Sequence, residues 1–374
     1  MPKQDDALAD ILRSRFHLSP TRAETLSWLV RLLPQQGSVC MYRLAAHVKT
    51  TAKIDSTRQR FRRFFERTDL DAVAEAKLIA EKLRLCGKQG WHLALDRTNW
   101  DFGETTHNIL VLSVLWQGSA VPLFRIMLDK KGNSDTSERE NLLQMLLDVF
   151  PDQPIASLTG DREFIGHRWL QWLTEKKIPF VMRHRENMYV SCPNQAPVLL
   201  SWMARDLKIG ETMNLKGGCR IGKTKDDSSP PVFVVMRRLK TGELLILASS
   251  YSAKKALKTY VLRWKIETLF GLLKTKGFNL EDTHMKDPKR LSTLFGILAI
   301  AGAMVLKIGQ AVHRHTPIPI KKHGRPARSL FGLGLDYLRR LFSNSSLPKI
   351  ITTLARLILP EMSANLLVLL DVKK

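Results

Sequence analysis

Two aspartates stand at the ends of apolar runs: Asp96 closes HLALD, and Asp161 closes IASLTGD. An aspartate in that place often does no more than start a turn. If the two runs are neighbouring strands of one sheet, however, both carboxylates emerge at the same edge. Two anions held that close repel each other unless a cation sits between them. A pair of Mg²⁺ ions, hard cations that prefer carboxylate and water oxygens, answers that need in a protein that handles phosphate. A third carboxylate, Glu267, falls within a helical pattern. At about 100° per residue, with Tyr260 at 0°, Arg263 lies near −60°, Glu267 near −20° and Lys274 near −40°. The four polar groups share one arc, and Leu262, Ile266, Leu269 and Leu273 fall on the other side. A solvated salt-bridge face would share this geometry; its position after two strand–Asp segments favours a site.

The elements that must position these groups follow from periodicity. Up to residue 88 the pattern is helical, as in TRAETLSWLVRLL, with breaks expected at Pro34, Gly37 and Gly87. Within it DSTRQRFRRFFER alternates arginines, among them Arg58, Arg62 and Arg63, with Phe61, Phe64 and Phe65. Two neighbouring short helices here would make a helix-turn-helix-like DNA reader, whereas the bland reading is an arginine face over a phenylalanine stripe. At residue 90 the period becomes that of strands. NILVLSVLW and AVPLFRIML flank Gln117-Gly118-Ser119 as a hairpin, and SERENLLQMLLDVF is an amphipathic helix with a capping box from Ser137 to Glu140. HRWLQWLTEKK reads as a helix and IPFVMRHR as a strand. That order predicts an α/β fold with a mixed sheet. Residues 188–250, with VFVVMRRL and ELLILASS between turn-rich pieces, read as a β-rich insertion. Helix returns from SAKKALKTY to KTKGF, and again over about 289–312. The expected organisation is therefore a helical DNA-binding region (1–88), a core (89–187 and 251–312), the insertion (188–250) and a helical, basic C-terminal region (313–374).

The chain has 374 residues, with 59 Lys and Arg against 35 Asp and Glu and a formal net charge of +24. Such an excess points to a polyanionic partner rather than to a particular fold. With 44% hydrophobic and 25% charged residues, the composition excludes a disordered or low-complexity chain. The four cysteines show no CxxC pairing, so neither a zinc site nor a disulfide framework is expected, and a reducing cytoplasm fits. The N-terminal MPKQDDALADIL lacks the apolar run of a signal peptide. The apolar run from Leu294 to Leu306 is shorter than the ~20 residues of a bilayer span, so no membrane is expected.

At this point a family resemblance enters. Tyr260-x2-Arg263-x3-Glu267-x6-Lys274 resembles the Tyr-Arg-Glu-Lys signature of bacterial insertion-sequence DDE transposases of the type named after insertion sequence four. LALDRTNW around Asp96 and LTGDREFIG around Asp161 resemble that family's first and second acidic motifs, and the likeness covers roughly residues 90–310. It implies a ribonuclease H-like catalytic core carrying a β-strand insertion before the final catalytic helix. It also implies an Asp96–Asp161–Glu267 triad that is both catalytic and metal-ligating, with Asp96 as bridging ligand of two Mg²⁺ ions, Mn²⁺ being able to substitute. The implied activity is cut-and-paste transposition of an insertion sequence, by in-line phosphodiester hydrolysis and strand transfer with two metals activating the attacking oxygen and stabilising the leaving one. No protein nucleophile is needed. The implied partners are double-stranded DNA, both terminal inverted repeats and target, and a second copy of the chain in the DNA complex. Arg263 and Lys274 would bind phosphates, Tyr260 would donate to one near the scissile bond, and Trp264 could stack on a displaced base. Trp202 and Phe233 are the insertion aromatics available for a flipped base, and the residues do not decide between them. Location in the bacterial cytoplasm, associated with the nucleoid, follows.

Other readings are weaker. A transposase-derived DNA-binding protein without catalysis is opposed by the intact triad. A two-carboxylate glycosidase is opposed by the +24 charge and only five tyrosines. Arg97, Arg162 and Glu163 adjoin the aspartates and either position substrate or serve as ion-paired support. GGCRIGKTK superficially resembles a phosphate loop but lacks the flanking strand and helix, which excludes ATP binding. The ten histidines show no metal-ligand spacing.

Overall fold

A computed structural model describes residues 6–225, 229–322 and 324–344. The N-terminal helices are α1 (Ala7–Phe16), α2 (Pro20–Gln36), α3 (Met41–Ala46), α4 (Ile54–Arg67) and α5 (Ala72–Leu83). Strands β1 (Trp91–Phe102), β2 (Thr105–Trp116) and β3 (Ser119–Met127) follow, then α6 (Thr136–Val149), β4 (Ile155–Gly160), α7 (His167–Glu175) and β5 (Phe180–His184). The next segment contains β6 (Tyr189–Ser191), β7 (Val198–Leu199), α8 (Leu200–Met203), β8 (Thr212–Gly222), β9 (Val232–Arg238) and β10 (Leu244–Ser249). After it come α9 (Ala253–Tyr260), α10 (Trp264–Gly271), α11 (Pro288–His315) and α12 (Leu330–Asn344). The chain divides into two compact units: residues 1–85, 100–107 and 269–374 form one, and 86–99 with 108–268 form the other.

The second unit is built on the sheet. Its strand order is β3-β2-β1-β4-β5-β10-β9-β8-β6-β7. β1 pairs in parallel with β4 and β4 with β5, whereas β5–β10, β10–β9, β9–β8 and β2–β3 are antiparallel. This is the mixed α/β sheet expected from the strand–hairpin–helix–strand–helix–strand order. Buried residues dominate β2, β3, β5 and β10, as strands covered on both faces require. The β2–β3 turn is Gln117-Gly118, both with positive φ (45° and 76°), the backbone that matches strand twist in a two-residue hairpin.

Several expectations need correction. The capping box of α6 lies two residues earlier than expected: Asp135 accepts from the Glu138 amide (2.9 Å), and Glu138 accepts from the Asp135 amide (2.7 Å). Aspartate is as good an N-cap as serine, and here it meets a glutamate three residues on. Pro34 does not break α2, which runs on to Gln36 and stops at Gly37, left-handed at φ 59°. Strands β8, β9 and β10, from the segment read as a β-rich insertion, extend the sheet beyond β5. Gly217 to Gly222 fall within β8, with Gly218 at positive φ (95°) where the register shifts. Contrary to the cysteine reading, Cys192 and Cys219 form a disulfide, while Cys40 and Cys86 are free. Widely spaced cysteines become neighbours when β6 pairs with β8.

The first unit is helical apart from the short ends of β1 and β2. α11 is its centre, buried along most of its length and packed on α2, α5 and α12. It is 28 residues long, and its most apolar 18-residue window, of mean hydropathy 2.0, is long and apolar enough for a membrane span, but 83% of that window is buried inside the protein. Those features fit a core helix. α11 and α12 approach so closely that a β-carbon at Gly309 would run into the Leu330 carbonyl, and one at Gly334 into the Val305 carbonyl. On α4, Thr57, Phe61, Phe64 and Phe65 are buried, leaving the arginines outside. Of the expected C-terminal region, the second helical stretch lies outside the described residues.

Candidate active site

Parallel pairing of β1 and β4 ends at Leu95 opposite Gly160. The next residues on the two strands are Asp96 and Asp161, so the carboxylates that sequence reading placed at one sheet edge do start from adjacent backbone positions. One detail differs. Asp96 does not terminate its strand, because β1 continues to Phe102 beside β2 after β4 has ended. Gly160 is required where it stands: a β-carbon there would lie 2.8 Å from Met182 Sδ and 3.0 Å from Phe164 Cβ. That close packing fixes the point at which the chain leaves β4 and delivers Asp161.

The third carboxylate comes from the helical segment after the insertion, and this segment is not the single α-helix that periodicity suggested. α9 ends at Tyr260, a 3₁₀ turn spans Val261–Arg263, α10 covers Trp264–Gly271, and a π turn covers Leu272–Lys276. Tertiary docking overrides the regular period here. Ala256 and Tyr260 of α9 pack into a core cluster with Val181, Val235 and Leu247 from three strands. Arg263, at the end of the 3₁₀ turn, is buried like Tyr260, while Val261 and Trp264 are exposed.

Arg263 is the centre of the arrangement. Its side chain is 3% exposed. Nη1 donates to Asp96 Oδ2 (3.2 Å), Nη2 donates to Glu267 Oε1 (2.6 Å), and Nε donates to the Tyr260 hydroxyl (3.1 Å). Tyr260 in turn donates to Asp161 Oδ1 (3.4 Å). One guanidinium and one phenol thus link all three carboxylates. Burial lowers the arginine's proton affinity, but Tyr260, Asp161, Asp96 and Glu267 outweigh it, and its pKa is raised. Burial pushes Tyr260 up to about 12. Asp96 is raised to about 6, first by burial and then by Asp161 and Glu163. The Arg97 amide, which donates to its Oδ1 (2.8 Å), and Arg263 hold it back.

The remaining acidic and basic neighbours are paired with one another. Arg97 donates to Glu163 (3.1 Å), to Asn108 (3.0 Å) and to Asn133 (3.5 Å). Ser134 donates to the other oxygen of Glu163 (3.2 Å), and Arg139 Nε donates to Ser134 (2.9 Å). Arg162 and Arg183 both pair with Glu243. Asn108, Ser134 and Arg139 were not singled out from the sequence, because nothing in their spacing marks them. Ser134 reaches Glu163, Arg139 reaches Ser134 and Asn108 reaches Arg97 because β2, the β3–α6 loop and α6 converge there.

The other expected site residues are distributed as follows. Trp264 is 56% exposed, with the Arg263 guanidinium 5.8 Å from its ring. Lys274 belongs to the first unit, where it pairs with Glu281 (2.7 Å) and lies 5.8 Å from the Trp100 ring. In the same unit Arg58, Arg62 and Arg63 are exposed on α4. Arg58 faces Asp55 (3.6 Å), Arg62 pairs with Glu66 (3.0 Å) and Arg63 donates to the Gln59 carbonyl (3.4 Å). Of the insertion aromatics, Trp202 is 55% exposed beneath Arg205, and Phe233 is partly covered.

Among the described residues, no three His, Cys, Asp or Glu side chains are gathered closely enough to hold a metal ion. The carboxylates of Asp96, Asp161 and Glu267 are nevertheless hard oxygen donors of the kind a divalent cation prefers, and burial, followed by Asp161 and Glu163, disfavours the Asp96 anion.

A family model described as a transposase DDE domain matches residues 87–303, more than half of the chain. Members of that family generally use divalent metals. Among solved structures the chain is similar to a piggyBac transposase synaptic complex with hairpin DNA, at 13% identity and a TM-score of 0.47, over 92% of this chain and 77% of that one. A comparison with curated proteins found no match. With the mixed sheet, the two adjacent aspartates and the helix-borne glutamate all inside the matched residues, the chain belongs to the DDE transposases.

Proposed function

We propose that this DDE transposase moves an insertion sequence by a cut-and-paste route, and that it belongs to the insertion-sequence-four type with Tyr260, Arg263, Glu267 and Lys274 as its signature. The observation that carries this reading is the linkage of Asp96, Asp161 and Glu267 through one guanidinium and one phenol. Buried charges that draw together carboxylates from distant segments cluster at functional sites, and Arg263 is 3% exposed.

Asp96, Asp161 and Glu267 would hold two Mg²⁺ ions, with Mn²⁺ able to substitute. When bound, the metals supply activation of the attacking oxygen and charge stabilisation at the leaving one. The chain's own groups do the positioning. Tyr260 offers its hydroxyl proton beside Asp161, and its high pKa keeps it a donor at neutral pH. Arg263 offers a planar fork and Lys274 a point charge to DNA phosphates. Trp264, exposed beside Arg263, offers a ring face to an unpaired base. Arg58, Arg62 and Arg63, outward on α4, contact the terminal inverted repeat, with target DNA as the second nucleic-acid partner. Cutting two ends together calls for a homodimer, and a cytoplasmic, nucleoid-associated location follows from the substrate.

The test is cleavage of DNA carrying the element's end, in Mg²⁺ or Mn²⁺. Nicking at the end is expected from the wild type. Glu267→Gln should bind the same DNA with unchanged affinity and cut it at least ~10³-fold more slowly, as expected for loss of a metal-ligating carboxylate. Tight end binding without nicking by the wild type would instead support a DNA-binding protein derived from a transposase.

A further inference from the structure

We propose that Arg263 is a built-in counter-ion that closes the carboxylate site in the metal-free protein and is displaced from it by the arriving divalent cation. The inference rests on the metal reading above and adds a competition to it. Three nitrogens of a single guanidinium are spent on Asp96, Glu267 and Tyr260, at 3.2, 2.6 and 3.1 Å, and the side chain is almost wholly buried. A guanidinium bridging two carboxylates sets their oxygens farther apart than a shared ion with ligand distances of about 2.1 Å tolerates. The positive charge therefore occupies the space and the electrostatic role that an ion would take.

Arginine cannot vacate the place by losing its proton. It must move, and once outside it needs another anion. Its position suits such a movement: Arg263 ends the 3₁₀ turn between α9 and α10, a junction of two helices rather than the interior of one. The flanking Val261 and Trp264 are exposed, so rotation there does not unpack a core. A phosphodiester of bound DNA is the anion the fork would take up, exchanging two carboxylates for a phosphate. Metal loading and DNA engagement are then linked through one side chain, and each favours the other.

The experiment is Mn²⁺ binding to the full chain without DNA, followed by electron paramagnetic resonance of free Mn²⁺. Wild type, Arg263→Gln, Arg263→Lys and Asp161→Asn are compared, with circular dichroism confirming that each is folded. Removing the competing charge in Arg263→Gln should tighten Mn²⁺ by at least ~10-fold, the size expected for a nearby partly buried charge. Lysine keeps the charge but cannot bridge three partners, so Arg263→Lys should give a smaller gain, and it reports on the latch even if the glutamine variant fails to fold. Unchanged or weaker Mn²⁺ binding in the folded arginine variants, with wild-type binding still abolished by Asp161→Asn, overturns the latch and leaves the metal site standing. If neither the wild type nor the arginine variants bind Mn²⁺, the metal reading and the latch fall together.

Discussion

Asp96→Asn should change how stability depends on pH, and the change can be worked from the site. In the folded protein Asp96 titrates near 6 rather than at its ordinary 3.8, chiefly because it is buried, with Asp161 and Glu163 adding to the effect. A carboxyl whose folded pKa is raised binds its proton more tightly in the folded state. Its favourable contribution is present at low pH and is lost as pH rises from the unfolded value through the folded one. The interval from 3.8 to about 6 corresponds to a loss of ~3 kcal/mol, of which about 2 kcal/mol falls between pH 4.5 and 7.5. Asparagine has nothing to titrate. The stability of Asp96→Asn minus that of the wild type should therefore grow by about 2 kcal/mol across this range, while the titrations common to both proteins cancel. Urea unfolding followed by circular dichroism in EDTA, at several pH values, measures the difference. Parallel pH profiles would refute the reasoning, because they would mean that Asp96 is either solvated or fully compensated by Arg263 and the Arg97 amide. Repeating the titration with saturating Mn²⁺ should flatten the wild-type profile, since an ion on Asp96 removes the penalty for its charge.

Two further outcomes are expected besides the loss of cleavage in Glu267→Gln and the tighter Mn²⁺ binding in Arg263→Gln. Replacing Arg58, Arg62 or Arg63 by alanine should weaken DNA binding across sequences and reduce the slope of log affinity against log salt by about 1 per lost phosphate contact, measured by anisotropy of labelled end DNA. An unchanged slope would remove α4 from the DNA interface. Gly309→Ala should destabilise the helical unit by roughly 1–3 kcal/mol or more through overpacking, because a β-carbon there meets the backbone carbonyl of Leu330. Its unfolding midpoint would be the readout, and an unaltered midpoint would mean that α11 and α12 can separate at little cost.

Much of this site was legible in local pattern. Apolar runs ending in Asp96 and Asp161, a two-residue hairpin at Gln117-Gly118, and a Tyr–Arg–Glu spacing on a helical segment are short-range signals, because each depends on backbone period and side-chain type within a few residues. So is the inward phenylalanine and outward arginine division of α4. The capping box was recognised as a type but placed on Ser137, since Asp135 and Ser137 each have a glutamate three residues later.

What the sequence by itself determined, then, was the inventory of groups, the surplus of positive charge and the period of each element. Tertiary structure decided who meets whom. The parallel register that sets Asp96 beside Asp161 depends on hydrogen bonds between segments some sixty residues apart, which no local pattern encodes. The pairing of Cys192 with Cys219 has the same cause. Periodicity put Tyr260, Arg263 and Glu267 on one arc, and they do meet, but only the fold brings Asp96 and Asp161 up to that arc. The reason is electrostatic: a guanidinium taken out of water needs anions beside it, and the carboxylates of Asp96 and Glu267 supply them.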